Sequence, residues 1–290
     1  MKIEKVLVIG TGTMGSGIVQ VCAQKGLMVT MVDTAQEMLD KAMKTISWSV
    51  GKLAEKGKLS EKAEDVMARI TASTELQAGA DADLVIEAVF EDVKIKQELF
   101  AKLEGIVGAQ TVLATNTSAI PISAIGKDLS RPERLLGLHF FNPVPMMDAV
   151  EVIRGVCTND ETFEFGGEFV RFLGKEPIVV KSDIAGFVLN RANMLTNLEV
   201  MRLVENSIAT PEDIDKGFRL AFGRRMGPLE TSDLVGLDVQ LMAYTNVYME
   251  ERDPKFYPPG ILRRKVAAGH LGRKTGKGWY EYNSDGTRKT

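Results

Sequence analysis

The strongest constraint on the fold lies between Val6 and Asp33. The apolar run Val6 to Ile9 stops at Gly10-Thr11-Gly12-Thr13-Met14-Gly15. From Ser16 to Lys25 the positions Ile18, Val19, Val21, Cys22 and Ala23 fall on one helical face, Gly26 closes the helix, and Leu27 to Val32 reads as a second strand ending at Asp33. This order of strand, glycine loop, helix, strand and acid is that of a dinucleotide-binding unit. Gly10 permits the tight turn, Gly12 leaves room for a pyrophosphate, and Gly15 lets helix and sheet approach. Amides at the helix start, around Thr13 and Met14, can hold the anion. An aspartate at position 33 accepts ribose hydroxyl hydrogens and repels an extra phosphate, so NAD is expected over NADP, with FAD as the rival that uses the same kind of fold.

Alternation continues. Strands are expected at Ala82 to Phe90, Thr111 to Ala114, Arg134 to Phe141, Val150 to Ile153 and Pro177 to Val180, with helices at Lys94 to Leu103 and Phe163 to Leu173. Two surface helices between Met38 and Ala68, separated near Gly57, carry Lys41, Lys44, Lys52, Lys56, Lys58 and Lys62, either as a solvated face or to meet the phosphates of a large substrate. After Gly186 strand periods cease. Phe187 to Asn206 has apolar residues at helical spacing, Thr210-Pro211-Glu212-Asp213 is a capped helix start, and apolar positions from Leu234 to Met249 and Ile261 to Gly269 continue the pattern. The expected architecture is an α/β Rossmann-type domain, residues 1–185, followed by an all-helical domain, residues 186–290. Met194, Met201, Met242 and Met249 are expected in the helical core, with part at a subunit contact. Gly269 to Tyr280 is too glycine-rich for a helix and reads as an ordered tail.

The chain has 290 residues, 44% hydrophobic and 26% charged, enough for two cores, and its net charge of -3 offers no broad basic field for nucleic acid or an anionic membrane. Neither an apolar leader with a cleavage site nor a run of about eighteen apolar residues occurs, so a cytoplasmic location is expected. Cys22 and Cys157 form no pair and are expected to be reduced and packed. With two histidines, no metal is expected.

His139 ends an apolar strand in Leu136-Gly137-Leu138-His139-Phe140-Phe141-Asn142-Pro143, where a cofactor crevice would open. It is either an acid/base group, since imidazole exchanges a hydroxyl proton near neutral pH, or a packing histidine. Glu151 is an acid within Val150-Glu151-Val152-Ile153. It either partners His139 across the connecting turn or points to solvent by period-two alternation. Ser118 is a substrate-oxygen donor or a helix cap before Ala119, and Asn190 reaches a carbonyl or ties the domains together.

Together with Thr115-Asn116-Thr117-Ser118, Gly186-Phe187-Val188-Leu189-Asn190-Arg191, Met226-Gly227-Pro228-Leu229-Glu230 and Gly272 to Gly278, these strings span nearly the whole chain. It resembles the short 3-hydroxyacyl-CoA dehydrogenases, most of all their bacterial 3-hydroxybutyryl-CoA branch. The resemblance implies that His139 is the acid/base and Glu151 its partner. It also implies that Ser118 and Asn190 bind the reacting oxygen or thioester carbonyl, that Glu91, Lys96, Asn142 and Lys274 contact NAD, and that Ser49 and Lys56 touch CoA. It further implies a homodimer built through the helical domain and action on the S stereoisomer. Ala185 stands where the family usually has proline, Leu195 and Leu198 where proline and asparagine are frequent, and Asp148 where lysine is frequent. Rival functions are a dehydrogenase of a dicarboxylic hydroxyacyl thioester or of a free hydroxy or sugar acid, and a nonenzymatic NAD-binding protein.

Overall fold

A computed structural model describes residues 3–289, which form two compact units divided between Ile184 and Ala185. In the first, β1 (Lys5–Ile9), α1 (Thr13–Gln24), β2 (Met28–Val32), α2 (Gln36–Glu55), α3 (Ala63–Met67) and β3 (Ile70–Ser73) build one half of a sheet. The chain then returns beside β1 with β4 (Leu84–Glu87), α4 (Val93–Glu104), β5 (Val112–Thr115), α5 (Ile122–Ile125) and β6 (Leu135–Phe140), followed by β7 (Ala149–Ile153), α6 (Asp160–Phe172) and β8 (Glu176–Val180). Strand order is β3-β2-β1-β4-β5-β6-β7-β8, parallel throughout except where β7 runs antiparallel to β6. The reversal of strand order between β1 and β4 opens a crevice at the strands' carboxyl ends.

Burial explains why these strands read as apolar runs: Val6 to Ile9, Leu84 to Ile86 and Leu135 to Leu138 are covered on both faces. The sheet strands are shorter than expected where polar loop residues follow, as at Leu84–Glu87. β3 was not anticipated. It is an edge strand of sequence Ile-Thr-Ala-Ser in which only Ile70 is buried, so it carries almost no apolar signal.

The second unit holds α7 (Leu189–Glu205), α8 (Pro211–Phe222), α9 (Pro228–Val235), α10 (Leu237–Glu251) and α11 (Gly260–Ala267). Thr210 caps α8 by accepting the Asp213 amide at 3.1 Å, as its sequence position suggests. The expected helix through Leu234 is broken at Gly236, whose φ of 104° no ordinary side chain favours. Met194 and Met201 are buried, but Met242 and Met249 are exposed, which corrects their assignment to the core. Cys157 is likewise exposed, whereas Cys22 is buried and its thiol is pushed up to about 12 by desolvation.

The tail is held by two buried aspartates. Asp215 accepts the amides of Leu229 and Glu230 at the start of α9 and the Tyr280 hydroxyl. Asp233 accepts the amides of Trp279 and Tyr280 and the Tyr282 hydroxyl. Burial raises the Asp233 carboxyl above its ordinary value despite those donors.

Candidate active site

The glycine loop packs as its spacing demands. Gly10 has φ 88°, and a Cβ there would lie 2.6 Å from the Ala88 carbonyl oxygen; one on Gly15 would lie 1.7 Å from the Gly10 oxygen. At Gly12 an added Cβ meets nothing within 4 Å, so space is open above the first turn of α1, where Thr13 is exposed and Met14 half-buried. Asp33 fixes this loop from the end of β2: its Oδ2 accepts the Thr11 amide at 2.8 Å and the Thr11 hydroxyl at 2.9 Å. Its Oδ1, 3.5 Å from the Ala35 amide, keeps acceptor capacity. An open helix N-terminus beside an acid with a spare oxygen fits the pyrophosphate and ribose of NAD.

A cleft of about 580 Å³ runs from this loop along α2 to the segment after β6, and its walls include Gly12, Thr13, Ser49, Lys56 and Asn142. Lys175 holds the far wall, donating to the carbonyls of Val144 at 2.8 Å and Met147 at 2.6 Å. Burial draws its ammonium below the usual lysine range, partly opposed by the charge of Asp148. A second cavity, of about 600 Å³, is lined by Asp83, Thr111 and Arg134, at the opposite ends of the strands, away from the crevice.

His139 and Glu151 face each other directly in the β6–β7 register. Residues opposed in an antiparallel pair project to the same face with neighbouring Cβ atoms, so the sheet itself joins them. His139 Nδ1 lies 2.7 Å from Glu151 Oε2, and both side chains are buried. Glu151 therefore does not point to solvent. As an acceptor-only carboxylate it fixes the hydrogen on Nδ1 and leaves Nε2 as the basic nitrogen. Phe141 packs against the imidazole with ring centroids 4.5 Å apart.

Ser118 is not a helix cap, since α5 begins at Ile122 without one. Its amide and hydroxyl donate to Glu91 Oε1 at 2.8 and 3.2 Å, as do the Thr117 hydroxyl at 2.6 Å and the Ala119 amide at 3.0 Å. Desolvation is the largest influence on Glu91 and pushes its carboxyl up, but Lys96, the Thr117 hydroxyl and the Ser118 and Ala119 amides outweigh it and hold it below its ordinary value. Lys96 is buried, with Nζ 2.6 Å from Glu87 Oε1 and 3.4 Å from Glu91 Oε2. Glu87, also buried, takes the Val89 amide and the Thr115 hydroxyl as well.

Two of these partners were not singled out as functional from sequence. Glu87 stands in the sequence only as an acid near a strand end, and its partner Lys96 lies in a different element. Asn116 Oδ1 accepts the Phe140 amide at 2.9 Å, which ties the end of β5 to β6 beside His139. The second unit carries Asn190, in the first turn of α7, and Lys274, whose Nζ holds both Asp238 oxygens at 2.6 and 2.7 Å. Among the described residues there is no acidic, histidine or cysteine cluster fit for a metal, and no helix is long and apolar enough to cross a membrane.

Comparison with known proteins matches residues 5–184 to the NAD binding domain of 3-hydroxyacyl-CoA dehydrogenase and residues 186–282 to its C-terminal domain. A probable 3-hydroxybutyryl-CoA dehydrogenase of Deinococcus radiodurans is 46% identical over 95% of this chain and 99% of its own length. The mitochondrial hydroxyacyl-coenzyme A dehydrogenase of Homo sapiens is 40% identical over 97% of this chain and 91% of its own. The crystal structure of (S)-3-hydroxybutyryl-CoA dehydrogenase from Ralstonia eutropha, 40% identical, superposes with a TM-score of 0.94 over 98% of this chain and all of that one. The chain belongs to the 3-hydroxyacyl-CoA dehydrogenase family and is an NAD-dependent enzyme of that family.

Proposed function

We propose that the chain interconverts (S)-3-hydroxybutyryl-CoA and acetoacetyl-CoA, with His139 as the acid/base. The observation that carries this reading is the buried 2.7 Å contact between His139 Nδ1 and Glu151 at the crevice end of β6. With Nδ1 donating to Glu151, Nε2 takes the C3 hydroxyl proton in oxidation and returns it in reduction. Glu151 stabilises the imidazolium formed in between, and Phe141 limits water beside the ring. Bound NAD supplies the acceptor for the hydride that leaves C3.

Gly10, Gly12, Thr13, Met14, Gly15 and Asp33 hold the dinucleotide, joined by Glu91, Asn142 and Lys274. Lys96 acts through Glu91, because its ammonium is already committed to two carboxylates. Ser118 binds the reacting oxygen after its hydroxyl turns from Glu91, and Asn190 holds the thioester carbonyl. Ser49 and Lys56, on the cleft wall, meet CoA. On this reading residues 1–185 bind NAD, and residues 186–290 bind substrate and dimerise. Exposed Leu220, Phe222 and Met242 in the helical unit supply apolar surface for a homodimer.

Reduced-nicotinamide absorbance, followed while the purified protein meets acetoacetyl-CoA or free acetoacetate with NADH or NADPH, tests the reading. Consumption of NADH with the thioester and little with the free acid is expected. Equal rates with the thioester and the free acid overturn the CoA assignment.

A further inference from the structure

Resting on that reading, we propose that Trp48 is the stacking surface for the adenine ring of the CoA moiety, making it a residue that selects nucleotide-bearing thioesters over shorter ones. Trp48 lies on α2 and lines the cleft, yet its side chain is 68% exposed, whereas the molecule's other tryptophan, Trp279, is 8% exposed. An indole left in water on a folded surface is a large apolar plane without a partner, and a purine ring is a flat partner of matching size.

The helix places cations around it. Lys41, Thr45, Trp48, Lys52 and Lys56 recur every three or four residues and all line the cleft, so they form one stripe in which the aromatic plane is flanked by ammonium groups. That alternation suits a base joined to several phosphates: the ring stacks and the lysines neutralise. Lys52 Nζ is 2.7 Å from Glu55, but both side chains are about half exposed, and such a surface pair is weak enough to yield to a phosphate. Ser49, adjacent in the chain and half-buried on the same wall, offers a hydroxyl to the same phosphates.

The adenine of NAD is not the ring in question. Asp33, the ribose acceptor, stands just before α2, which begins at Gln36. Trp48 is twelve residues further along that helix, roughly 18 Å at 1.5 Å per residue, beyond the reach of a base whose ribose sits on Asp33.

Two measurements on the full-length protein separate this proposal from the function on which it rests. Steady-state rates with NADH are compared for acetoacetyl-CoA and for acetoacetyl-pantetheine, which lacks the nucleotide. For W48A, kcat/KM with acetoacetyl-CoA falls about tenfold through KM. The pantetheine thioester shows no such fall, and W48F regains most of the loss. An equal fall for both thioesters, a rise only in the KM for NADH, or no fall at all would overturn the proposal.

Tryptophan emission during titration with CoA alone reads the contact without turnover: quenching in the wild type that is absent in W48F is expected. No quenching in the wild type overturns the stacking even if acetoacetyl-CoA turns over. Quenching in a protein that fails to reduce acetoacetyl-CoA leaves the stacking standing and removes the assigned reaction.

Discussion

His139 and Glu151 are paired partners in the antiparallel β6–β7 register, and their side chains meet at 2.7 Å inside the first unit. The alignment of the dyad is thus set by backbone hydrogen bonding rather than by a loop. Replacing Glu151 with Gln keeps the shape but removes the charge that stabilises an imidazolium. We expect E151Q to lower kcat by about 10²-fold with the KM for NADH nearly unchanged. Steady-state kinetics decide, and a loss confined to the KM for NADH would place Glu151 in cofactor binding instead.

Lys96 and Glu87 form an ion pair with both side chains almost fully buried. Removing one partner leaves an uncompensated charge and costs about 3–5 kcal/mol, whereas removing both costs less. K96M should therefore unfold at much lower denaturant concentration than the wild type, and the double variant K96M/E87Q should recover part of the loss. Equal destabilisation by the single and the double variant would contradict this.

Lys175 fastens the wall of the cleft through two carbonyls. K175M strands both acceptors, at about 1–3 kcal/mol for each that stays dry, and loosens the segment from Asn142 to Met147. Lower thermal stability is expected together with a higher KM for the thioester. A stability loss with every kinetic constant retained would show that the segment does not shape the site.

Glu91 has a folded-state carboxyl below its ordinary value, because Lys96, the Thr117 hydroxyl and the Ser118 and Ala119 amides outweigh desolvation. A depressed acid stabilises the fold above its unfolded value, and that stabilisation is lost as pH falls through the folded value. The gap in unfolding midpoint between wild type and E91Q should be largest near neutrality and shrink as pH drops below about 4.3. A gap independent of pH would show that ionised Glu91 contributes nothing.

The two oddities that marked the dyad were readable because each broke an apolar strand with one polar residue, and two short strands joined by a turn bring such residues to one face. The glycine loop and Asp33 were readable because backbone geometry restricts which residues fit. Other features depend on partners distant in the chain. Glu87 and Lys96 lie in a strand and the following helix, and nothing in either segment announces the pair. Asp215 and Asp233 look like ordinary helical acids until the tail amides and tyrosine hydroxyls arrive. The edge strand Ile70–Ser73 is paired on one side by β2 and lacks the apolar run that marks a central strand. Met242 and Met249 share a helix with buried Tyr244 and Val247, so composition alone did not tell the inner face from the outer one.

The central claim is that the His139 imidazole moves the proton of the reacting hydroxyl. Its most direct test is the turnover of acetoacetyl-CoA by H139Q at saturating NADH, with NADH affinity measured on the same sample. The account predicts a fall in kcat of about 10²-fold or more with NADH affinity retained. An H139Q enzyme that binds NADH normally and turns over at the wild-type rate would contradict it.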